Sequence, residues 1–457
     1  MGRLVIVSNR VPDPHELAQP AGGLTVALAD ALRSGDPCLW FGWSGRQMEF
    51  EGDPTPNVET HGSVTYATIP LTPAQHRGYY QNFSNGILWP LFHYRLGLMS
   101  YERADWIRYL EVNRLFARGL ASLLEPGDTV WIHDYHLFPL GQELRNLGFQ
   151  GRIGFFLHIP LPPWSLFRAL PPAEPILRSM QAYDLIGLQT EEDANNLRGC
   201  FEAEGLSGAD RVRPFPIGID PTQFGADARL AFAGKEVQRL RDSVHDEPLI
   251  IGVDRLDYSK GLQERFLGYE RLLTRYPEHR RHVTYLQVAP VSRGEVEEYR
   301  LLRRQLDETI GRINGAFAEF DWTPIRYLTR PVPRSVLAGF YRLADVALIT
   351  PLRDGMNLVA KEYIAAQDPE HPGALVLSHL AGAAPELSEA LLVNPHDADA
   401  IADALHEALT MNLDERKRRW ALLDNEVRST TAGSWARDFL TALDSADANV
   451  DGQTPIT

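Results

Sequence analysis

The stretch Leu249-Ile-Ile-Gly-Val-Asp254-Arg255-Leu-Asp-Tyr-Ser-Lys260-Gly261 joins an apolar run to a helical pattern that begins near Leu262. The apolar run predicts a buried strand, so Arg255 and Lys260 lie on a strand-to-helix loop. Open α/β sheets bind their ligands at such loops, and the N–H groups of a helix N-terminus add a partial positive charge. The loop therefore predicts an anion site, with a diphosphate as a candidate ligand. Arginine and lysine on a solvated surface turn would show the same spacing.

Short apolar runs alternate with longer helical patterns along the chain. The segment 106–124, for example, carries apolar residues at a helical period. Continuous apolar strands that alternate with helices indicate buried parallel sheets covered on both faces. The predicted strands are Leu4–Val7, Thr129–His133, Ile153–Leu157, Leu185–Leu188, Leu249–Val253, Val283–Val288, Val346–Thr350, Leu375–Leu377 and Leu392–Val393.

The chain has 457 residues, which exceeds one ordinary core and predicts two domains. The alternation pauses where Asp220-Pro-Thr-Gln-Phe-Gly-Ala226 precedes a charged helical stretch near 227–245. We therefore predict an α/β protein with a Rossmann-like domain over 1–235 and a second one over 236–435. A C-terminal helix and tail over 436–457 is expected to return to the first domain. The two doubly wound parallel sheets are expected to face a central cleft.

The composition argues against nucleic-acid and membrane partners, and against a disulfide framework or a thiolate metal site. A net charge of −15 disfavours binding to nucleic acid and to anionic membranes. No apolar run reaches the roughly 18–20 residues of a membrane span, and the N-terminal run 1–7 is typical of a strand rather than of a signal peptide. Cys38 and Cys200 are too few for a disulfide framework or a thiolate metal site. A cytoplasmic protein with reduced thiols is predicted.

Several residues of the first half follow predicted strands or precede a helix. Arg10 comes after the first strand, and Gly22-Gly23 could let backbone N–H groups approach a phosphate, although a tight turn needs the same pair. Asp134 and His158 each follow a strand and are expected at the ligand-binding edge of the sheet. An N-cap role for Asp134 and a simple loop hydrogen bond for His158 are the alternatives.

An aromatic-rich stretch, 79–95, lacks a clean period and contains Tyr80 and Trp89. Core packing would account for it, and stacking on a sugar would suit the same mixture of aromatic and polar residues.

The second half offers Arg293 after one strand and the segment Pro351-Leu-Arg-Asp354-Gly-Met-Asn357-Leu-Val-Ala-Lys361-Glu362 after another. A helix beginning in this segment could cradle a phosphate at its N-terminus while a carboxylate one or two turns in binds a ribose. A solvated helix face would also explain Lys361 and Glu362.

Together these residues resemble the trehalose-6-phosphate synthases, retaining glycosyltransferases of the glycosyltransferase-B fold. The resemblance extends from about Leu4 to Leu422. The motifs that carry it are Ser8-Asn-Arg10, Phe41-Gly-Trp-Ser44, Leu88-Trp-Pro90, Trp131-Ile-His-Asp-Tyr-His136, Phe156-Leu-His-Ile-Pro160, Arg255-Leu-Asp-Tyr-Ser-Lys-Gly261 and Thr350-Pro-Leu-Arg-Asp-Gly-Met-Asn-Leu-Val-Ala-Lys-Glu362.

The resemblance implies a role for each matched position. The residues implied on the donor side are Gly22, Gly23, Arg255, Lys260, Val332, Asp354, Asn357, Leu358, Val359, Ala360, Lys361 and Glu362, with Arg255 and Lys260 holding the diphosphate. Those implied on the acceptor side are Arg10, Tyr80, Trp89, Asp134 and Arg293. His158 is implied beside the donor sugar, and Trp89 and Ile159 near the two anomeric centres. The catalytic set implied is Arg255, Lys260, His158, Asp354 and Asp134.

The implied reaction transfers glucose from a nucleotide-glucose to glucose 6-phosphate with retention of configuration. UDP-glucose is the family default, and GDP- or ADP-glucose stay open. No cofactor and no metal are implied, and a homo-oligomer, dimer or tetramer, is expected. The alternatives are a glucosylglycerol-phosphate synthase, which uses glycerol 3-phosphate, and a non-catalytic sugar-phosphate sensor on the same fold.

Two segments depart from the family pattern. Relatives usually carry Phe at position 161 and Glu at 165, where this chain has Leu161 and Ser165, and the stretch 202–213 is short. These departures bear on rate, loop closure or oligomer contacts rather than on the reaction.

Overall fold

The computed structural model describes residues 2–12, 28, 37–49, 52–291 and 297–446, and these form two compact units. One unit contains the described residues up to Ile217 together with those from Gly433 onward, and the other is Gly218–Ala432. Each unit is built on its own largely parallel sheet with helices between the strands. The predicted α/β class with two parallel-sheet domains is thereby confirmed.

The sheet of the first unit has eight strands in the order β3-β4-β2-β1-β5-β6-β7-β8. All neighbours run parallel except β3 and β4. The bounds are β1 Leu4–Arg10, β2 Cys38–Gln47, β3 Asn57–His61, β4 Val64–Leu71, β5 Thr129–His133, β6 Ile153–Phe156, β7 Leu185–Leu188 and β8 Val212–Pro214.

The second unit has a six-stranded, all-parallel sheet in the order β11-β10-β9-β12-β13-β14. The bounds are β9 Leu249–Val253, β10 Thr284–Val288, β11 Ile325–Leu328, β12 Val346–Ile349, β13 Ala374–Ser378 and β14 Leu391–Val393. Successive strands are added on one side of β9 up to β11 and on the other side from β12. The loops after β9 and β12 therefore lie at the topological switch point, where open α/β sheets bind ligands.

The helices connect these strands and cover the sheets. Among the described residues they are α1 Pro73–Gln75, α2 Trp89–Phe92, α3 Arg103–Ala121, α4 Leu140–Asn146, α5 Trp164–Phe167, α6 Ala173–Met180, α7 Glu191–Ala203, α8 Pro221–Phe232, α9 Lys235–Val244, α10 Leu262–Arg275, α11 Glu297–Phe317, α12 Arg334–Leu343, α13 Leu358–Ala366, α14 Ala398–Thr410, α15 Leu413–Ser429 and α16 Ala432–Asp444, with a π-helix at His76–Leu88 and 3-10 turns at Leu96–Leu98, Tyr135–Leu137, Ala209–Arg211, Tyr258–Lys260 and Pro277–His279. Within the described part of the chain, none of these is long and apolar enough to cross a membrane.

All nine predicted strands are present, with ends that differ by up to three residues. The strands that were not predicted are β2, β3, β4, β8 and β11. Two of them carry no usable pattern, since β3 is exposed along its whole length and β8 has only three residues.

The units divide after Ile217, whereas the sequence analysis placed the boundary after residue 235. The predicted charged helical stretch is two helices, α8 and α9, with Gly234 between them. Both pack within the second unit: the Phe224 ring lies 6.2 Å from Tyr341, and a Cβ on Gly339 would come within 2.6 Å of the Val237 side chain.

Helix α16 packs against the sheet of the first unit. Phe439 stacks on Trp131 of β5, with ring centroids 4.7 Å apart, and Trp435 meets Phe156 of β6 at 5.0 Å. A Cβ on Gly154 would lie 2.7 Å from the Phe439 ring. The absence of a side chain there lets the helix approach the strand.

Replacing Phe439 with Ala should lower the free energy of unfolding by about 3–5 kcal/mol, because a fully buried ring leaves a cavity behind. The loss would be measured by urea unfolding monitored by circular dichroism. Phe320→Ala is the matched control, since that ring is 97% exposed and its removal should change stability by less than about 0.5 kcal/mol. Equal losses in the two variants would contradict the packing described here.

Candidate functional site

The loop after β9 has a conformation fixed by its own buried carboxylate. Asp257 accepts hydrogen bonds from the backbone N–H and the hydroxyl of Ser259, both at 3.0 Å, and from the hydroxyl of Tyr299 at 3.1 Å. Gly261 ends the loop with φ of 64°, and a Cβ there would lie 2.2 Å from the carbonyl oxygen of Thr350. Only glycine combines that dihedral with that approach.

Lys260 is brought directly to the loop that follows β12. Its Nζ lies 2.6 Å from Oδ2 of Asp354, and Nδ2 of Asn357 donates to the same oxygen at 3.0 Å. Asn357 has a left-handed backbone, with φ of 82°, and its Oδ1 accepts from the N–H of Ala360, which caps α13. Three predicted site residues therefore meet at the N-terminus of α13, where the first-turn N–H groups, including those of Leu358 and Val359, point out of the helix.

Arg255 extends from the same loop toward solvent. Its side chain is 45% exposed, and Nη2 lies 3.9 Å from Oδ2 of Asp257, which is beyond hydrogen-bond distance. The hydrogen bonds that Asp257 accepts from Ser259 and Tyr299 do not involve this guanidinium.

The side chain of Lys361 points into the protein. It is 1% exposed, its Nζ lies 2.7 Å from Oε2 of Glu386, and burial lowers its pKa while Glu386 opposes that shift. The alternative of a solvated helix face is therefore wrong for Lys361. A ligand at the start of α13 would meet the backbone of this residue rather than its ammonium group.

Glu362 already has a cationic partner. Arg334 donates to its Oε1 through Nε at 3.1 Å and Nη2 at 3.0 Å, and the guanidinium also lies over the Phe224 ring at 4.8 Å. Because Arg334 is the first residue of α12, this pair joins the start of α12 to α13. The predicted base contact, Val332, lies two residues before Arg334 in the sequence, and its role stays a prediction. Arg334 was not among the site residues predicted from the sequence.

A buried arginine that the sequence analysis missed connects these loops. The Arg265 side chain, on α10, is fully buried and lies 2.6 Å from Asp254 at the end of β9. It also donates to Gln287 of β10 at 3.0 Å, to the hydroxyl of Thr350 after β12 at 3.2 Å and to the carbonyl oxygen of Lys260 at 3.2 Å.

The signal for this network was present in the sequence. Arg265 lies one turn after Leu262 and next to Phe266, on the apolar stripe of α10, where a cation is out of place. Gln287 and Asp254 are likewise polar residues in or at the end of apolar strands. Burial raises the pKa of Asp254, and Arg265 and Lys260 oppose that rise.

In the first unit, Arg10 and Tyr80 meet around one indole. The guanidinium carbon of Arg10 lies 6.0 Å from the Trp43 ring, and the Tyr80 ring lies 6.1 Å from it. Tyr80 also stacks on His136 at 5.7 Å. Arg10 is exposed at the end of β1, so a cation and a phenol hydroxyl share one surface of this unit.

Tyr80 is carried by the π-helix His76–Leu88, which explains why this stretch lacks a helical period in the sequence. Hydrogen bonds in a π-helix join residues five apart rather than four, as between the N–H of Trp89 and the carbonyl oxygen of Ser84. Single-turn π-bulges occur often at functional sites, and this segment is thirteen residues long.

Asp134 and His158 are also brought together. Oδ1 of Asp134 accepts from the N–H of His158 at 3.3 Å, and the Asp134 side chain makes no N-cap bond to the following turn. Its backbone has φ of 77° and ψ of 163°, a region that only glycine adopts without strain. Such strain costs on the order of 1–3 kcal/mol and is concentrated at functional sites.

The His158 ring is held by two side chains behind it. Its Nε2 lies 3.1 Å from Nδ1 of the fully buried His133, and its Nδ1 lies 3.4 Å from Nε2 of Gln189. Burial lowers the pKa of His158 to about 3 and also holds that of His133 well below its ordinary value. Both rings are therefore neutral near pH 7.

Trp89 and Ile159 are nearly buried. Trp89 contacts His93 at 4.2 Å and Tyr135, the neighbour of Asp134, at 5.8 Å between ring centroids. Their predicted contacts with the sugars stay predictions. Gly22, Gly23 and Arg293 lie outside the described residues, and their roles also stay predictions.

The atypical segment after His158 is held by the side chain of Asp193. The N–H of the buried Leu161 donates to Oδ1 of Asp193 at 2.8 Å, and Oδ2 of Asp193 accepts from the hydroxyl of Thr190. Ser165 is exposed in the short helix α5. The carboxylate that relatives carry at position 165 would therefore lie at the surface of this unit.

Comparisons with known proteins agree with this geometry. The sequence matches glycosyltransferase family 20 over residues 3–445. The chain belongs to glycosyltransferase family 20. The resemblance drawn from the sequence motifs is confirmed, and so is the assignment to the glycosyltransferases.

Three relatives of this family 20 chain illustrate the match. A trehalose-6-phosphate synthase of Sinorhizobium fredii is 47% identical, with 97% of this chain and 98% of the relative covered. An α,α-trehalose-phosphate synthase (UDP-forming) of Burkholderia xenovorans, solved in complex with glucose-6-phosphate, is 44% identical, with a TM-score of 0.93 and 97% and 100% coverage. An Escherichia coli structure with bound UDP-2-fluoro glucose is 44% identical, with a TM-score of 0.91 and 98% and 100% coverage.

Replacing Arg265 with Met should cost about 3–5 kcal/mol of stability, because it leaves the carboxylate of Asp254 buried without its partner. Chemical denaturation would measure the loss. Adding Asp254→Asn should recover part of it, by about 1 kcal/mol or more relative to the sum of the single variants. The control is Arg281→Met, which breaks the exposed pair with Asp321 and should cost at most about 1 kcal/mol. Additive effects of the first two variants would contradict the proposed coupling.

The neutral state of His158 predicts how stability depends on pH. Its pKa is near 6.5 when unfolded and about 3 when folded, so the unfolded chain takes up the proton first as the pH falls. The stability that the neutral His158 contributes is fully present above about pH 6.5 and is lost progressively as the pH falls toward 3. When the pH falls from 7.5 to 5, the free energy of unfolding should decrease by up to about 2 kcal/mol less in His158→Gln than in the unmodified chain. Urea unfolding at the two pH values measures this difference, and an equal loss in His158→Gln and the unmodified chain would contradict a neutral, buried His158.

Proposed function

We propose that this family 20 chain transfers glucose from UDP-glucose to O1 of glucose 6-phosphate, with retention of configuration, and releases α,α-trehalose 6-phosphate and UDP. The observation that carries the proposal is the cluster of Lys260, Asp354 and Asn357 at the N-terminus of α13, at the switch point of the sheet. The full-length match to UDP-forming synthases supports the choice of donor.

In the proposed reaction the bond between the anomeric carbon of glucose and the diphosphate breaks. Negative charge then develops on the leaving diphosphate oxygens. Arg255, Lys260 and the first-turn N–H groups of α13 stabilise that charge, since preorganised donors aimed at developing charge lower a barrier most. A new bond forms between the anomeric carbon and O1 of the acceptor, and the leaving phosphate oxygen takes the acceptor proton.

The remaining donor contacts are proposed for the same unit. Asp354 and the backbone 358–361 meet the donor sugar and phosphates, Glu362 binds the ribose, and Val332 contacts the base through its main chain. Glu362 is held in place for this role by Arg334, which donates two hydrogen bonds to its Oε1. A main-chain contact to the base carries no side-chain code, so UDP is proposed from the relatives alone.

The acceptor contacts are proposed for the first unit. Arg10 and the hydroxyl of Tyr80 suit a phosphate, and Asp134 suits a sugar hydroxyl. A glucosylglycerol-phosphate synthase is less well supported, because Arg10, Tyr80, Trp89 and Arg293 together favour a sugar phosphate as the acceptor. A non-catalytic sensor is less well supported, because Arg255, Lys260, Asp354 and Glu362 are all present. The cytoplasmic location and the homo-oligomer stay predictions, as does the absence of nucleic-acid and membrane partners.

Lys260→Ala should lower kcat by about 100- to 1000-fold, because one preorganised donor to the leaving group is removed. The assay would follow nucleoside diphosphate release with UDP-, GDP- and ADP-glucose, each paired with glucose 6-phosphate and with glycerol 3-phosphate. Lys417→Ala is the matched control, since Lys417 forms an exposed pair with Glu370 and should leave turnover unchanged.

A near-normal rate for Lys260→Ala, in a variant whose thermal unfolding matches that of the unmodified chain, would contradict the assignment of the diphosphate. Turnover with glycerol 3-phosphate but not with glucose 6-phosphate would establish the first alternative. Binding of glucose 6-phosphate without turnover of any donor would establish the sensor.

A further inference from the structure

A second cluster of chemically capable side chains lies in the second unit, away from the carboxyl ends of its strands. Two imidazoles, His279 and His406, approach each other with Nε2 and Nδ1 2.9 Å apart, and Oε1 of Glu278 lies 3.9 Å from Nδ1 of His406. One ligand atom from each of the three residues lies within 4.8 Å of those of the other two. None of these residues takes part in the proposed reaction.

The elements that carry the cluster hold it in place. Glu278 and His279 belong to the 3-10 turn Pro277–His279 after α10, whereas His406 projects from α14. The His406 ring stacks on Tyr276, with ring centroids 4.0 Å apart and planes 7° from parallel. The hydroxyl of Tyr276 donates to Asp403 at 2.7 Å, one turn earlier on α14. These two contacts therefore hold the His406 ring, and its nitrogen atoms, in place when no ligand is bound.

We propose that Glu278, His279 and His406 form a binding site for a divalent transition metal ion of the zinc class. Two imidazole nitrogens and one carboxylate form a three-ligand set that zinc accepts, with water in the fourth position. Magnesium and calcium prefer all-oxygen ligands, so the two histidines select against them.

The geometry needs only a small adjustment to hold the ion. Nitrogen atoms bound to one tetrahedral zinc ion at about 2.1 Å lie roughly 3.4 Å apart, against 2.9 Å between the two rings here. His406 is partly exposed at 31% and Glu278 at 58%, so both can make this shift and the ion has access from solvent.

The charged residues around the cluster are also compatible with a bound cation. Arg275 is the cation beside Tyr276, and it is paired with Asp399 and Asp403. Such an ion would link the turn after α10 to α14, and it would do so independently of the proposed transfer reaction.

The test uses zinc chloride as the probe and the full-length chain. Competition with a chromophoric chelator should give one saturable site, and His406→Ala should weaken zinc binding by at least about 10- to 100-fold, since even outer contacts of a metal site are worth that much. Glu278→Gln, which keeps both imidazoles, should weaken it in the same direction. His396→Ala removes an exposed histidine of the same unit and should leave the affinity within about twofold.

A second readout separates a metal site from a histidine pair that serves only as an internal hydrogen bond. Zinc binds the folded state, so it should raise the Tm of the unmodified chain and of His396→Ala, but not that of His406→Ala. Absence of saturable zinc binding, or equal affinity in His406→Ala and the unmodified chain, would overturn the proposal. Neither result depends on glucosyl transfer, because the measurements use no sugar substrate.

Discussion

The guanidinium of Arg265 fixes the positions of the chemical groups in the second unit. It donates to Asp254 at the end of β9, to Gln287 in β10 and to the hydroxyl of Thr350 after β12, and its fourth acceptor is the carbonyl oxygen of Lys260. A buried ion pair seldom adds net stability, because desolvation offsets the attraction. Its effect here is geometric: three strand ends and a loop share one rigid donor, so the loop is ordered before any ligand arrives.

Small residues are needed around this donor. A Cβ on Gly252 would lie 2.4 Å from Oε1 of Gln287 and 2.9 Å from Nη1 of Arg265. Gly261 is constrained on the other side of the loop, against the backbone of Thr350. The position of the Lys260 ammonium group therefore depends on glycine at both 252 and 261. Because its Nζ also pairs with Asp354, an incoming diphosphate must share that ammonium with a carboxylate rather than meet a free one.

The sequence predicted most of the buried strands and the loops at their ends, but it missed β2, whose first six residues are buried. A short apolar run such as Leu249–Val253, followed by a helical pattern, indicates a buried parallel strand. Because parallel strands end at the same edge of the sheet, the position of the loop that follows can be predicted as well. It missed β3, which is exposed throughout, and it could not resolve α8 from α9 across Gly234. Arg265 was missed because it was read as part of a helix, whereas its function comes from strands that are 22 and 85 residues away in sequence.

In the first unit, the neutral state of the His158 imidazole limits the catalytic role that this residue can have. The pKa of His158 is about 3, so the ring is not an imidazolium at neutral pH, and its two nitrogens face His133 and Gln189. Acid catalysis by this imidazole is therefore disfavoured, since an efficient catalytic acid needs a pKa near the working pH. This agrees with the proposed reaction, in which the leaving phosphate oxygen takes the acceptor proton. Under this mechanism the strained backbone of Asp134 serves to place its carboxylate, and the adjacent imidazole serves as an uncharged wall beside the sugar.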